Sequence, residues 1–143
     1  MQPIRMIIRI VVAAMMILIT NCGKDEPTSS QNTDELLRAH VWLVEYTNID
    51  GVFSELYEGM TLAFGPTTYT TTDGKSLWKP SGTWEFLDDS QKTILRDDGL
   101  ELEIVTITTE SLVLSFYWDS TILDGGRTSS LKGQYEMTFK RKL

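Results

Sequence analysis

The sequence predicts an all-β protein: an antiparallel up-and-down barrel of about eight strands, with a short helix at its N-terminal side. Three observations carry the prediction. From Val41 onward the chain runs in short stretches rich in β-branched and aromatic residues, most of them alternating apolar with polar. Such alternation turns one face of each strand toward a core. Turn residues separate the stretches at intervals of about 8–12 residues, the spacing of sandwiches and barrels. The connections are short, which favours sequence neighbours as sheet neighbours, and closing the sheet removes its exposed edges.

Residues 1–21 precede that body and have a different texture. Arg5 and Arg9 lead into an apolar run from Ile10 to Ile19. A transmembrane helix needs about 20 apolar residues, and this run is too short. A buried core helix would show a polar face, and residues 10–19 have none. A secretory signal peptide fits both the length and the basic flank. Ile19-Thr20-Asn21-Cys22 closes the leader and resembles the lipobox of bacterial lipoproteins, although Asn21 stands where that motif prefers a smaller residue. The resemblance implies that Cys22, the only cysteine, becomes the acylated first residue of the mature chain, carrying three fatty chains of the palmitate type. Each buried methylene contributes about 0.8 kcal/mol, so three chains hold a protein firmly in lipid. Gly23-Lys24-Asp25-Glu26 resembles the surface-export signal of lipoproteins of the Bacteroidota, a basic residue followed by acidic ones. Residues 22–33 are polar, poor in apolar side chains and interrupted by Pro27, the composition of a flexible tether.

Residues 34–143 form the expected barrel domain. Asp34 to His40 suits one or two helical turns, with Thr33 or Asp34 as cap. Val41–Tyr46, Val52–Tyr57, Met60–Phe64 and Thr67–Thr72 follow as strands, with turns at Asn48–Gly51, Gly65-Pro66 and Asp73-Gly74. Thr83–Leu87 alternates Trp84 and Phe86 against Thr83 and Glu85, and Asp88-Asp89-Ser90 turns the chain. Thr93–Arg96 leads into the Asp97-Asp98-Gly99 turn. Leu100–Ile107 alternates until Ile104-Val105, where the phase slips and a bulge is expected. Ser111–Trp118 places Leu112, Leu114, Phe116 and Trp118 on one face. Asp119–Lys132 is expected to be a loop with Gly125-Gly126 at its tip, and Gly133–Lys140 places Tyr135, Met137 and Phe139 inward.

In order and spacing, the leading helix, Trp42, Met60-x-Leu62-x-Phe64, Gly82-Thr83-Trp84-x-Phe86, Leu112-x-Leu114 and Tyr135-x-Met137-x-Phe139-Lys140 resemble the lipocalin-like lipoproteins of the Bacteroidota. The resemblance spans nearly all of residues 34–143 and implies a lipocalin-like barrel. Lipocalins proper start their barrel with Gly-x-Trp, and here His40 stands in the glycine's place. In that family a basic residue of the last strand covers the tryptophan. Arg141 has the inward parity to do so over Trp42, a cation–π contact of about 0.5–2 kcal/mol. The other reading leaves Trp42 as plain core and Arg141 in solvent.

Composition excludes several classes. The formal charge of −7 becomes about −9 without Arg5 and Arg9, and a scattered acidic surface repels nucleic acid. His40, the only histidine, sits at a helix boundary, with no carboxylate spacing that suggests a metal. No Gly-x-Ser-x-Gly element is present. Asp97-Asp98-Gly99 and Asp119 with Asp124-Gly125 lack the spacing of a calcium loop. The expectation is therefore a non-enzymatic protein without cofactor or metal. Six aromatic residues fall on inward phases: Tyr69, Trp84, Phe86, Phe116, Trp118 and Tyr135. They are the candidates to line a small apolar or amphipathic ligand in the barrel mouth, since an eight-stranded barrel can hold one small ligand. They also suffice to fill a solid core, whose outer surface would then dock to another envelope protein. Either way the partner is the outer membrane, reached through Cys22, on its surface or its periplasmic face.

Overall fold

The computed structural model describes residues 32–119, 121–124, 127–130 and 132–143, the two short internal segments by backbone alone. Cys22, the leader and the tether as far as residue 31 lie outside the described residues. The elements are α1 (Thr33–Ala39), β1 (Val41–Ile49), β2 (Val52–Ser54), β3 (Thr61–Phe64), β4 (Thr68–Thr72), β5 (Ser81–Phe86), β6 (Thr93–Arg96), β7 (Glu101–Ile107), β8 (Ser111–Trp118), β9 (Thr121–Asp124), β10 (Arg127–Ser130) and β11 (Gly133–Arg141).

The helix starts one residue earlier than the sequence suggests. Asn32 caps it, its side-chain oxygen accepting from the Asp34 amide at 3.3 Å. Thr33 is already helical, and the Asp34 carboxylate is engaged with Arg38 one turn on. The apolar pair Leu36 and Leu37 faces the barrel and is buried. Trp42 Nε1 donates to the Leu37 carbonyl at 3.0 Å, which satisfies one of the orphan acceptors at the helix end.

The strands run β11-β8-β7-β6-β5-β4-β3-β1-β2, every ladder is antiparallel, and β11 also pairs with β1. The sheet is therefore closed. β2 meets β1 at residues 47–49 and β3 meets it at 41–43. The two share one position in the circuit, which makes the barrel eight strands round, consistent with the lipocalin-like architecture expected. Because sequence neighbours are sheet neighbours, the connections alternate between two ends. One end carries α1 and the turns 65–67, 87–92 and 108–110; the other, the mouth, carries 50–51, 73–80, 97–100, the end of β8 and the start of β11.

Two bulges keep apolar residues inward where strict alternation would turn them out. The bulge expected in β7 is present: Ile104 pairs with Leu114 and Thr106 with Val113, leaving Val105 extra and exposed. A second, unanticipated bulge lies at Glu45 in β1, between the pairs Val44↔Phe139 and Tyr46↔Thr138. It moves the inward phase from Trp42 and Val44 to Thr47 and Ile49.

Three segments differ from expectation. β1 continues to Ile49, and the turn narrows to Asp50-Gly51, with φ of 50° and 78°, the left-handed values a tight hairpin requires. The stretch after Val52 keeps strand form only to Ser54; residues 55–59 then turn so that Tyr57 reaches the core, fully buried. Residues 119–132 are not a plain loop, because β9 and β10 pair as a hairpin, Asp124 opposite Arg127. Gly125 and Gly126 lie outside the described residues.

Side chains fill the barrel. Trp42, Met60, Leu62, Ile94, Leu112, Leu114, Tyr135, Met137 and Phe139 have no exposed surface.

Candidate functional site

The site of interest is the mouth, built round one buried charge. β6 alternates inward Ile94 and Arg96 with outward Thr93 and Leu95, so Arg96 enters the barrel at its rim, with 1% of its side chain exposed. A guanidinium cannot shed its proton and must be paired when buried. The Asp97-Asp98-Gly99 turn supplies the partner two residues on. Arg96 Nε donates to Asp98 Oδ1 at 2.9 Å and Nη2 to Oδ2 at 2.5 Å, a two-pronged contact. These hydrogen bonds from Arg96 hold the Asp98 carboxyl below its ordinary range, against the opposing effect of partial burial. The third bond, Nη1 to the Leu77 carbonyl at 2.9 Å, ties the loop 73–80 to the barrel wall.

That loop closes the mouth. Leu77 and Trp78 are buried to 0% and 1% exposure. The Trp78 ring stands edge-on to Tyr69 at 5.6 Å and to Phe116 at 6.4 Å, while the Arg96 guanidinium lies 4.8 Å from its centroid. On another side the guanidinium faces Trp118 at 5.6 Å. Arg96 is thus held between two indoles, an arrangement favoured by the negative ring faces. The loop backbone is tight: Asp73 and Lys75 have φ of 57° and 52°, left-handed values that non-glycine residues seldom adopt. Its ties to the barrel are Thr71 N to Pro80 O at 2.9 Å, Thr71 Oγ1 to Lys79 O at 2.7 Å, Lys75 Nζ to Leu56 O at 2.5 Å, and the Arg96 bond.

Gly82 is a requirement of this packing. It pairs with Tyr69 across the β4–β5 ladder, and a side chain there would begin 2.6 Å from the Tyr69 hydroxyl. Its absence lets the Tyr69 ring lie across the β5 backbone, within electrostatic reach of Arg96, Asp97 and Asp98.

The six aromatic candidates are all inward, but they form two groups. Phe64, Trp84 and Phe86 make one chain of edge contacts, at 5.2 Å and 5.1 Å, beside the β3–β4 turn. Trp84 Nε1 donates there to the carbonyls of Gly65 and Thr68, both at 3.1 Å, so this ring is fastened into the core. Tyr69, Phe116, Trp118 and Tyr135 belong to the mouth; Phe116 and Tyr135 stack at 5.3 Å with 6° between planes. A groove of about 510 Å³ touches Trp84 and Arg96, but it runs over the outer face of β5 and β6, past Thr83, Glu85 and Leu95. Trp42 and Arg141 are register partners at the helix end. There His40 stands edge-on to Trp42 at 5.6 Å, and Arg141 Nη2 lies 3.0 Å from Glu110 Oε1.

Tyr57, Leu77, Trp78 and Arg96 complete the mouth and were not singled out by sequence. The available signals were an arginine at the inward parity of Ile94, and an apolar pair, Leu77-Trp78, isolated between Asp73-Gly74 and Pro80. Among the described residues, no three His, Cys, Asp or Glu side chains come together as metal ligands, and no helix is long and apolar enough to cross a membrane. No family model matches the chain, and no curated protein and no solved structure matches it.

The mouth tyrosines respond to pH in one direction. Tyr57 is raised well above 10.0 by burial and then by Tyr135 beside it; Tyr135 and Tyr69 are raised too, chiefly by burial. Folding therefore favours the neutral phenols. Their contribution is complete below the unfolded value near 10 and is lost as pH rises past it toward the folded values. The expected result is alkaline unfolding in which tyrosinate absorbance rises together with loss of tryptophan fluorescence structure. Tyrosinate appearing in full while the fold persists would contradict it.

Proposed function

We propose that this chain is a non-enzymatic, lipid-anchored cell-envelope protein with a lipocalin-like barrel that takes a small apolar or amphipathic molecule at its mouth, beneath the loop 73–80. The observation that carries the reading is the plug. Trp78 sits in the mouth on a short loop with left-handed residues, attached mostly through side chains, over a floor of Tyr69, Phe116 and Tyr135. Strained loops are a recurrent feature of ligand sites, and swinging this one aside vacates the volume of an indole above aromatic faces. The anchor is carried by the leader and Cys22 alone.

The test has two arms. The first titrates the soluble domain with methyl dodecanoate and with the uncharged dye N-phenyl-1-naphthylamine. Trp78 and Trp118 lie at the mouth, so tryptophan emission is expected to shift saturably; no response to either probe would refute ligand binding. The second follows Cys22→Ser in cells. The variant is expected to leave the outer-membrane fraction, and its retention there would refute the anchor.

The alternative is a solid barrel that docks to another envelope protein. What favours it is the filled interior, together with the exposed Tyr46, Val52 and Phe53 on β1–β2 and Leu56 in the turn after them, where the Tyr46 and Phe53 rings lie 6.4 Å apart.

A further inference from the structure

The geometry points to the chemistry of the ligand's polar end: an uncharged hydrogen-bond acceptor, such as an ester or amide carbonyl, and not a carboxylate. This rests on the mouth-binding reading above. The mouth contains buried polar atoms that no described residue meets. Trp78 Nε1, Trp118 Nε1 and Tyr69 Oη are all buried, and among the described residues none has a hydrogen-bond partner. Buried donors without acceptors are costly, about 1–3 kcal/mol each, and native folds tolerate few of them. These three are not scattered. Both indoles flank the Arg96 guanidinium, and Tyr69 touches Trp78 and lies within the field of Arg96. Three orphans round one centre mark a place where something else supplies acceptors.

The type of acceptor follows from charge. An indole N–H only donates, and a phenol can donate, so the cluster offers donors. A buried arginine ordinarily invites an anion. Here Asp98 already engages Nε and Nη2, and the Leu77 carbonyl takes Nη1. Asp97, just before it in the same turn, lies 3.7 Å from Lys79 Nζ. A ligand carboxylate would therefore add a second negative charge beside Asp98, where the guanidinium is already engaged and the Lys75 ammonium of the same loop donates to the Leu56 carbonyl, and would be desolvated as well. A carbonyl meets the same donors without that penalty. The apolar remainder of such a molecule has the Tyr69, Phe116 and Tyr135 ring faces to lie on.

Three probes of similar chain length separate the possibilities: methyl octanoate, octanoate and nonane, titrated at neutral pH into the wild type, Tyr69→Phe and Trp118→Phe. Both substitutions keep an aromatic ring and delete one donor. Tyr69→Phe removes a hydroxyl that has no partner, so the unliganded protein is expected to be at least as stable, a property checked by its melting curve. The wild type is expected to bind methyl octanoate more tightly than octanoate. Each substitution is expected to weaken the ester about five- to tenfold, the loss of about one hydrogen bond, while nonane changes less than twofold. Octanoate binding more tightly than the ester would overturn the inference, because charge would then be what the site reads. An ester affinity unmoved by both substitutions would also overturn it, and would leave the mouth as a purely apolar site. If none of the three probes binds, the mouth-binding reading itself falls.

Discussion

Trp78→Ala is expected to lower the unfolding free energy by about 3–5 kcal/mol, the range for deleting a large aromatic from a packed interior. The ring is 1% exposed and meets Tyr69, Phe116 and the Arg96 guanidinium, so its removal costs both packing and a buried cation–π contact. The Leu77 carbonyl keeps its bond to Arg96, so the loop is expected to stay attached while the space beneath it opens. Urea denaturation measures the loss. A second readout separates a plug from an ordinary core residue: the folded variant is expected to bind an apolar dye with a defined stoichiometry where the wild type binds less. Trp78→Phe, which keeps a ring in the same place, is expected to lose less than half as much stability. A loss under about 1 kcal/mol for Trp78→Ala would mean that the ring is not seated as described.

The closed barrel was legible because its strands follow the simplest rule in the sequence. Leu112, Leu114, Phe116 and Trp118 alternate without interruption, and so do Tyr135, Met137 and Phe139; the two runs pair residue by residue in β8 and β11. The bulge at Val105 could be read because apolar residues sit on both sides of the slip. The bulge at Glu45 could not: Glu45 and Tyr46 continue an acceptable alternation, and what displaces it is the pairing of Tyr46 with Thr138 on a strand some ninety residues away. Tyr57 was assigned to a strand for the same reason, since local propensity carries no information on where the chain must turn to bring a ring inward. The mouth was half legible. Tyr69, Phe116, Trp118 and Tyr135 stand on strands and have a parity; Leu77 and Trp78 stand on a loop and have none. Arg96 shows that parity alone does not identify a buried charge. Its parity with Ile94 marks it as inward, but a buried guanidinium is credible only once its partner is known, and that partner, Asp98, looks in sequence like a turn residue.

The interaction between those two residues gives the other large effect. Arg96→Met is expected to destabilise the fold by about 3 kcal/mol at neutral pH, toward the lower end for breaking a buried ion pair because the Asp98 side chain is 23% exposed and recovers some hydration. The substitution also strands the Leu77 carbonyl. Asp98→Asn is expected to cost at least as much, since it leaves the charge of a side chain that is 1% exposed without its counterion. The double variant is expected to lose clearly less than the sum of the two, because neither an unpaired cation nor an unpaired anion remains. Acid titration gives an independent check with a fixed sign. Asp98 has its folded value depressed below its unfolded one, so its contribution is complete above about pH 4 and is lost as pH falls through the folded value. The wild type should therefore lose stability on acidification more steeply than Arg96→Met, in which the depression has no source. Parallel acid profiles for the two proteins, together with strict additivity in the double variant, would mean that Arg96 and Asp98 are not coupled, and that the guanidinium is held at the rim by the Leu77 carbonyl and the indoles without its carboxylate.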